Sequence, residues 1–172
     1  MSKILRRQSM WLLLLTAAAW LQIAHAQEEP NVGRSTGLPV PRFVSLGDNE
    51  VNVRFGPGTQ YPIYWKFTQT GIPVEIISEF DNWRKIRDFE GEEGWIRSNL
   101  LDSQRTIMVQ GAVRDLLRTP SKKGRVLLRA EPGVIGLLFE CEDAWCRVEI
   151  DGRRGWLQRS DFWGTLPDEW RS

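Results

Sequence analysis

Beyond about residue 40 the apolar positions fall in short runs separated by Gly, Pro, Asp and Asn. Val51–Phe55, Ile63–Phe67, Val74–Phe80, Trp83–Asp88 and Gly94–Arg97 are rich in β-branched and aromatic side chains, the composition of short strands between turns. Arg105–Val109 reads as a strand that closes this set. No stretch after Ala26 sustains a helical period. Strands this short, packed into roughly 60 residues, are too few for a large sandwich. They suit a small barrel, whose closure removes most exposed edges.

The pattern then returns. A shift of 62 lays Gly71 on Gly133, Asp81 on Asp143, Trp83 on Trp145 and Ile86 on Val148. With one residue removed from the second hairpin, a shift of 61 lays Gly91 on Gly152, Gly94 on Gly155, Trp95 on Trp156 and Ile96 on Leu157. "VRFGP" (Val53–Pro57) matches "LRTP" (Leu117–Pro120) with small gaps, and "RTPSKKG" lacks the Gly-Pro-Gly turn of the first copy. Self-similarity at a fixed period marks a tandem array. The expected organisation is all-β: barrel 1 over 43–109, barrel 2 over 110–164, a flexible Pro- and Gly-rich tail over 27–42 and a C-terminal tail over 165–172. A 60-residue unit alone is marginal, so the copies are expected to share an interface across their short linker.

The N-terminus changes the picture of where the chain works. Lys3, Arg6 and Arg7 precede an apolar run from Met10 to Ile23, and "AHA" (Ala24–Ala26) places small residues at a cleavage point. This is the layout of a secretory signal peptide over 1–26, and the run falls short of the roughly 20 residues that span a bilayer. A periplasmic or secreted protein is expected, with no membrane association after cleavage. Cleavage removes three cations and no anion, taking the net charge from +1 to −2, and it removes His25, the only histidine. Triad catalysis and the common zinc sites need an imidazole. No catalytic residue, metal or cofactor is therefore assigned, and near-neutral charge gives no reason to expect nucleic acid.

Candidate ligand residues are aromatic. Trp83 and Ile86 lie three apart in one strand and so face opposite sides; with Ile86 inside, Trp83 is expected to point outward, as Trp145 is in copy two. Phe55 and Tyr61 flank the "GPG" loop and are expected to form the facing wall of a groove. Trp95 and Trp156 follow hairpin glycines and are expected to pack across strands. Asp88, Glu90, Glu92 and Glu93 cluster in sequence but lie in and beside an exposed hairpin, where nothing would raise a carboxyl pKa for acid catalysis. The hairpin tips differ in sign, Glu92 and Glu93 against Arg153 and Arg154, and residues 43–109 carry −3 against +2 for residues 110–163.

Cys141 and Cys146 are separated by four residues that span a turn. In an exported chain they are expected to pair as a structural disulfide. A metal would need further soft ligands, and the spacing is not that of a redox Cys-x-x-Cys motif. The aligned positions in copy one are Glu79 and Arg84, an opposite-charge cross-strand pair.

"VNVRFGPGTQYPI" followed by "DNWRKIRDFEGEEGWIRSNLL", with "CEDAWCRVEIDGRRGWLQRSDFWG" as its second copy, resembles the bacterial Src-homology-3 (SH3) family of exported proteins across Phe43–Gly164. The resemblance implies SH3-like barrels that bind peptides or cell-wall material, often beside an enzyme domain, and a groove lined by Trp83. "GWIRSNLL" is similar to the ligand-side segment G-x-I-P-S-N-Y-V of eukaryotic SH3 domains, which grip Pro-rich helices. Arg97 stands at the Pro position and Leu100 at the Tyr position, while copy two has Gln158 and Asp161 there. Arg97 thus joins Trp83, Tyr61 and Phe55 as a ligand candidate, and polyproline specificity does not transfer. The expected partner is cell-wall peptide or glycan, or, for an adaptor or self-associating role, an envelope protein.

Overall fold

The computed structural model describes residues 31–167 and 169. The expected signal peptide lies outside them, and none of their helices is long and apolar enough to cross a membrane.

Among the described residues, fourteen strands form two sheets of seven. The first takes β1 (Arg42–Leu46), β2 (Val51–Arg54), β3 (Ile63–Phe67), β4 (Pro73–Phe80), β5 (Trp83–Arg87), β6 (Glu93–Arg97) and β7 (Leu101–Asp102), in the order β3-β2-β6-β5-β4-β1-β7. The second takes β8 (Thr106–Val109), β9 (Arg114–Leu117), β10 (Val126–Ala130), β11 (Ile135–Glu142), β12 (Trp145–Ile150), β13 (Arg153–Gln158) and β14 (Phe162–Trp163), in the order β10-β9-β13-β12-β11-β8-β14. Adding seven to each label of the first sheet gives the second, so the repeat seen in the sequence is a repeat of topology. Both copies share details. Each long hairpin has a bulge, between Ile76 and Ser78 and between Leu138 and Glu140. Each turns at an Asp with φ 48°, Asp81 or Asp143; Asp is among the few non-glycine residues that tolerate the left-handed region. These are the SH3-like barrels expected, each a sheet curled around its own core.

Alternation builds the cores. Val51, Val53, Val74, Ile76, Ile86 and Ile96 fill the first. Ile107, Val109, Leu116, Val148, Ile150 and Leu157 fill the second.

The boundary between the barrels differs from expectation. Thr106–Val109 does not close barrel 1. As β8 it pairs with β11 (Met108 with Ile135) and with β14 (Phe162 with Val109), as β1 pairs with β4 and β7. The reason is that all four of its residues are buried. Ile107 and Val109 face the second core, and Met108 packs into the first. A strand with two apolar faces carries no alternation to say which barrel owns it. Met108, with Ile135 also packed against the first core, welds the barrels together. Phe43 of β1 meets Trp163 of β14 edge-to-face at 4.9 Å between ring centres, and the Arg105 guanidinium lies 5.9 Å from the Phe43 ring centre.

The tails differ too. Residues 31–41 of the expected flexible tail fold back on barrel 1. Val32 bridges Pro39, Gly33 donates to the Leu38 carbonyl at 2.8 Å, and Val40 is buried in the first core. Composition predicted disorder because the segment has few apolar residues; one valine and a buried charge, described below, suffice to dock it. Beyond barrel 2, Arg159 donates to the Leu166 carbonyl at 2.9 Å, and Glu169 pairs with Arg105.

Candidate functional site

β3 is an edge strand, which leaves its side chains uncovered beyond the sheet, and its sequence Ile-Tyr-Trp-Lys-Phe is nearly all large and apolar. Ile63 and Tyr64 are exposed. Tyr64 stacks on Phe55 at 4.4 Å, meets Trp65 edge-on at 4.7 Å, and Trp65 meets Phe67 at 6.1 Å. The four rings form a continuous ribbon. At its outer end Phe55 is 60% exposed, Tyr64 46% and Tyr61 39%. At its inner end Trp65 and Phe67 enter a cleft of about 690 Å³ between the barrels, walled on the far side by Met108 and Pro132. This contiguous, partly exposed aromatic surface makes the ribbon the candidate site.

The loop beside the ribbon is well held. The Arg54 guanidinium donates to the Tyr61 carbonyl at 2.7 Å and to the Thr59 carbonyl at 3.3 Å. The Phe55 amide donates to the Pro62 carbonyl at 3.2 Å. Tyr61 lies over Gly56, where a Cβ would overlap its ring. The Tyr64 hydroxyl donates to Glu92 at 3.1 Å, and that carboxylate holds the phenol above its usual range.

The same loop exists in barrel 2, against the expectation of a lost turn. Three hydrogen bonds of the first loop (Phe55 to Pro62, Gly58 to Gly56, Tyr61 to Gly58) recur as Arg118 to Arg125, Ser121 to Thr119 and Gly124 to Ser121. The shift is a constant 63. The glycine has changed sides: Gly56 faces Tyr61 in one loop, and Gly124 faces Thr119 in the other. One member of the facing pair must be small, and either will do. The shared turn is hidden in the sequence because its glycine stands at a different place in each copy.

Of the sequence candidates, the structure brings Phe55 and Tyr61 to one loop. It does not bring Trp83 there. Trp83 stands outside the first core cluster, as expected, yet is only 8% exposed, so the expected open indole is absent. Its cross-strand partner explains this. Arg97 sits opposite Trp83 in the β5–β6 register and lays its guanidinium 5.7 Å from the ring centre, a cation–π contact that covers the face of the ring. Arg97 itself is exposed. Among the described residues no ring contact or hydrogen bond links either residue to Phe55 or Tyr61. Tyr64, which joins Phe55 to Trp65 in the ribbon, is not among the residues expected from the sequence. The signal was present in the unbroken Ile-Tyr-Trp run, but only the strand order shows that β3 is an edge.

Asp88, Glu92 and Glu93 of the hairpin have structural partners. Asp88 is buried and accepts from the amides of Glu90 and Glu92, both at 2.9 Å. Glu93 accepts from Lys85 at 2.6 Å and Arg87 at 2.7 Å, and these hydrogen bonds hold its carboxyl below the usual range. Cys141 and Cys146 are bonded, opposite each other in register and inside the second core.

The profile of the bacterial SH3 domain family matches residues 47–103 and 112–164, and both segments begin after the strand (β1 or β8) that opens each barrel. A putative N-acetylmuramoyl-L-alanine amidase, YrvJ of Bacillus subtilis (strain 168), is 22% identical over 132 residues, 66% of this chain and 25% of that protein. The chain thus spans about a quarter of that relative. Among solved structures, NlpC2 from Trichomonas vaginalis aligns over 73% of this chain and 48% of its own, with 14% identity and a TM-score of 0.34. An NlpC/P60 family protein from Bacillus cereus ATCC 10987 aligns over 72% and 57%, with 13% identity and a TM-score of 0.32. With both repeats matched by one family profile and folded to one topology, the chain belongs to the bacterial SH3 domain family, as a tandem of two such domains.

Proposed function

We propose that this protein is an exported, non-catalytic binding module that holds cell-wall glycan or peptide on the aromatic ribbon of barrel 1. The observation that carries the reading is the exposed, mutually stacked Phe55–Tyr64 pair beside Tyr61, on a loop pinned by Arg54. Flat aromatic faces bury the apolar faces of sugars and peptide side chains at little entropic cost, because each ring has few rotatable bonds. A pinned loop reduces the ordering cost of binding. The likeness of one stretch to a putative N-acetylmuramoyl-L-alanine amidase supports a wall ligand, and the N-terminal sequence supports a place outside the cytoplasm. The non-catalytic part of the reading is supported by the hairpin carboxylates Asp88, Glu92 and Glu93, which are engaged within the fold.

The test is a titration of the chain from Gln27 onward with soluble peptidoglycan fragments, read by amide chemical shifts. Shifts should gather at Phe55, Tyr61 and Tyr64. A Phe55→Ala/Tyr64→Ala variant should bind at least tenfold more weakly. No shift at saturating fragment concentration, or shifts confined to barrel 2, overturns the proposal.

A further inference from the structure

The conserved loop geometry has opposite chemistry in the two barrels. Where barrel 1 offers Phe55 and Tyr61, barrel 2 has Arg118 and Gly124, and its loop also carries Lys122, Lys123 and Arg125. All four cations are exposed, and among the described residues none makes an ion pair. Arg153 adds a fifth charge from the neighbouring hairpin by donating to the Leu127 carbonyl at 2.7 Å. Its counterpart in barrel 1 is Glu92, bonded to Tyr64, the counterpart of Leu127. The tip has therefore reversed sign where the loop has gone from uncharged to basic. Other basic residues of this barrel are neutralised: Arg129 by Asp115 at 3.2 Å and Arg154 by Glu149 at 2.6 Å. The nearest carboxylate in sequence to Arg153 is Asp151, in the same turn.

We propose that the β9–β10 loop of barrel 2, with Arg153 beside it, is a second binding site, and that it takes a linear phosphate-bearing polymer. Unpaired like charges on one short loop repel one another, and a ligand carrying closely spaced negative charges relieves that repulsion. Guanidinium groups fork onto phosphate oxygens, and lysines add point charges. The cations lie within one eight-residue loop, Arg118 to Arg125. A chain with a charge on each short repeat matches that span better than a glycan with widely spaced carboxylates. A membrane surface is the poorer fit. Val126, 42% exposed, is the large apolar side chain next to the loop, and surface-binding elements insert aromatic or long aliphatic groups. This inference rests on barrel 2 alone and stands apart from wall binding by barrel 1.

The experiment uses short-chain inorganic polyphosphate as probe and isothermal titration calorimetry as readout, at low and at high salt. Binding is expected at low salt, with affinity that falls steeply as salt rises, because each neutralised charge releases a counterion. A variant with Arg118→Ser, Lys122→Ser, Lys123→Ser and Arg125→Ser should lose at least tenfold in affinity with an unchanged melting temperature. The Phe55→Ala/Tyr64→Ala variant should bind polyphosphate as the parent does, although it has lost wall fragments. The proposal is overturned by an absence of binding at low salt, or by a serine variant that binds normally. Equal binding of polyglutamate, or binding of phosphatidylglycerol vesicles in preference to polyphosphate, overturns it as well.

Discussion

Glu79 and Arg84 face each other across the β4–β5 hairpin, 3.4 Å apart, at the positions that Cys141 and Cys146 occupy across β11–β12. The two barrels thus close the same end by different chemistry. In barrel 2 the closure is covalent. In barrel 1 it is a buried carboxylate whose side chain is fully shielded from solvent. Glu79 accepts from the amides of Ser35 (3.0 Å) and Thr36 (2.9 Å), from the Thr36 hydroxyl (2.8 Å) and from Arg42 (2.6 Å). Gly33 crosses so close that a Cβ there would overlap the carboxylate. A buried charge is costly unless its lone pairs are filled. Here the N-terminal segment fills them, which explains why a polar stretch with few apolar residues is ordered.

Glu79→Gln should release that segment. Burial pushes the Glu79 carboxyl up, but the hydrogen bonds from Arg42, Thr36 and Ser35 outweigh it and hold the pKa at about 2. The folded value lies below the unfolded one, so the stabilisation is fully present above about pH 4.5 and is lost as pH falls toward 2. Linkage puts it on the order of 3 kcal/mol. The substitution should lower stability by a similar amount at pH 7 and strip hydrogen-exchange protection from Ser35 and Thr36. It should also flatten the acid limb of the stability curve between pH 4.5 and 2. Protection that persists in the variant would show that the segment docks without this anchor.

The disulfide should matter to one barrel only. Closing so short a loop stabilises by roughly 2 kcal/mol in the chain-entropy account, and both sulfurs also fill space in the second core. Cys141→Ala/Cys146→Ala is expected to cost about 2–4 kcal/mol by the sum of lost cross-link and lost packing. Hydrogen exchange should quicken in β11 and β12 and stay unchanged in β4 and β5. Equal acceleration in both barrels would mean that they unfold as one unit.

Most of the fold can be read from the chain because alternation and turn residues act locally. Ile63–Phe67 is a strand from end to end, and β2, β4, β5 and β6 fall within a residue or so of their expected limits. Glu79 with Arg84 and Cys141 with Cys146 are paired as the repeat alignment implies. What the chain conceals is non-local. Thr106–Val109 is apolar on both faces, so only its partners in barrel 2 assign it. Trp83 has the pattern of an outward residue, but whether an outward ring is open depends on Arg97 across the sheet. Tyr64 enters the exposed ribbon on β3, and the place of β3 at the sheet edge is a matter of strand order that no local pattern records.

Phe43 should govern the coupling of the barrels. It is buried against Trp163 and lies under Arg105, so its ring belongs to the interface more than to either core. Phe43→Ala should cost about 3 kcal/mol, in the range for a buried ring replaced by a methyl. Calorimetry should then show the transitions of the two barrels further apart than in the parent. An unchanged separation would place the coupling in Met108 and Ile135 instead.

Trp83 and the ribbon can be separated by asking what each substitution harms. Trp83→Ala removes a ring that is 8% exposed and covered by Arg97, so it should cost about 3 kcal/mol of stability. At a temperature where the variant is still folded, it should leave affinity for wall fragments nearly unchanged. Phe55→Ala and Tyr64→Ala remove rings already half in solvent, and should shift stability by about 0.5 kcal/mol each, as for surface positions generally, while weakening binding. Arg97→Ala is the diagnostic case. It uncovers the indole without removing it, so the emission of Trp83 should move to longer wavelength. If the freed ring then improves binding of wall fragments, Arg97 is a cover over a second aromatic contact. If binding is unchanged, the contact surface ends at the β3 ribbon. A loss of binding in Trp83→Ala while the fold remains intact would restore the indole to the site and displace the ribbon from its centre.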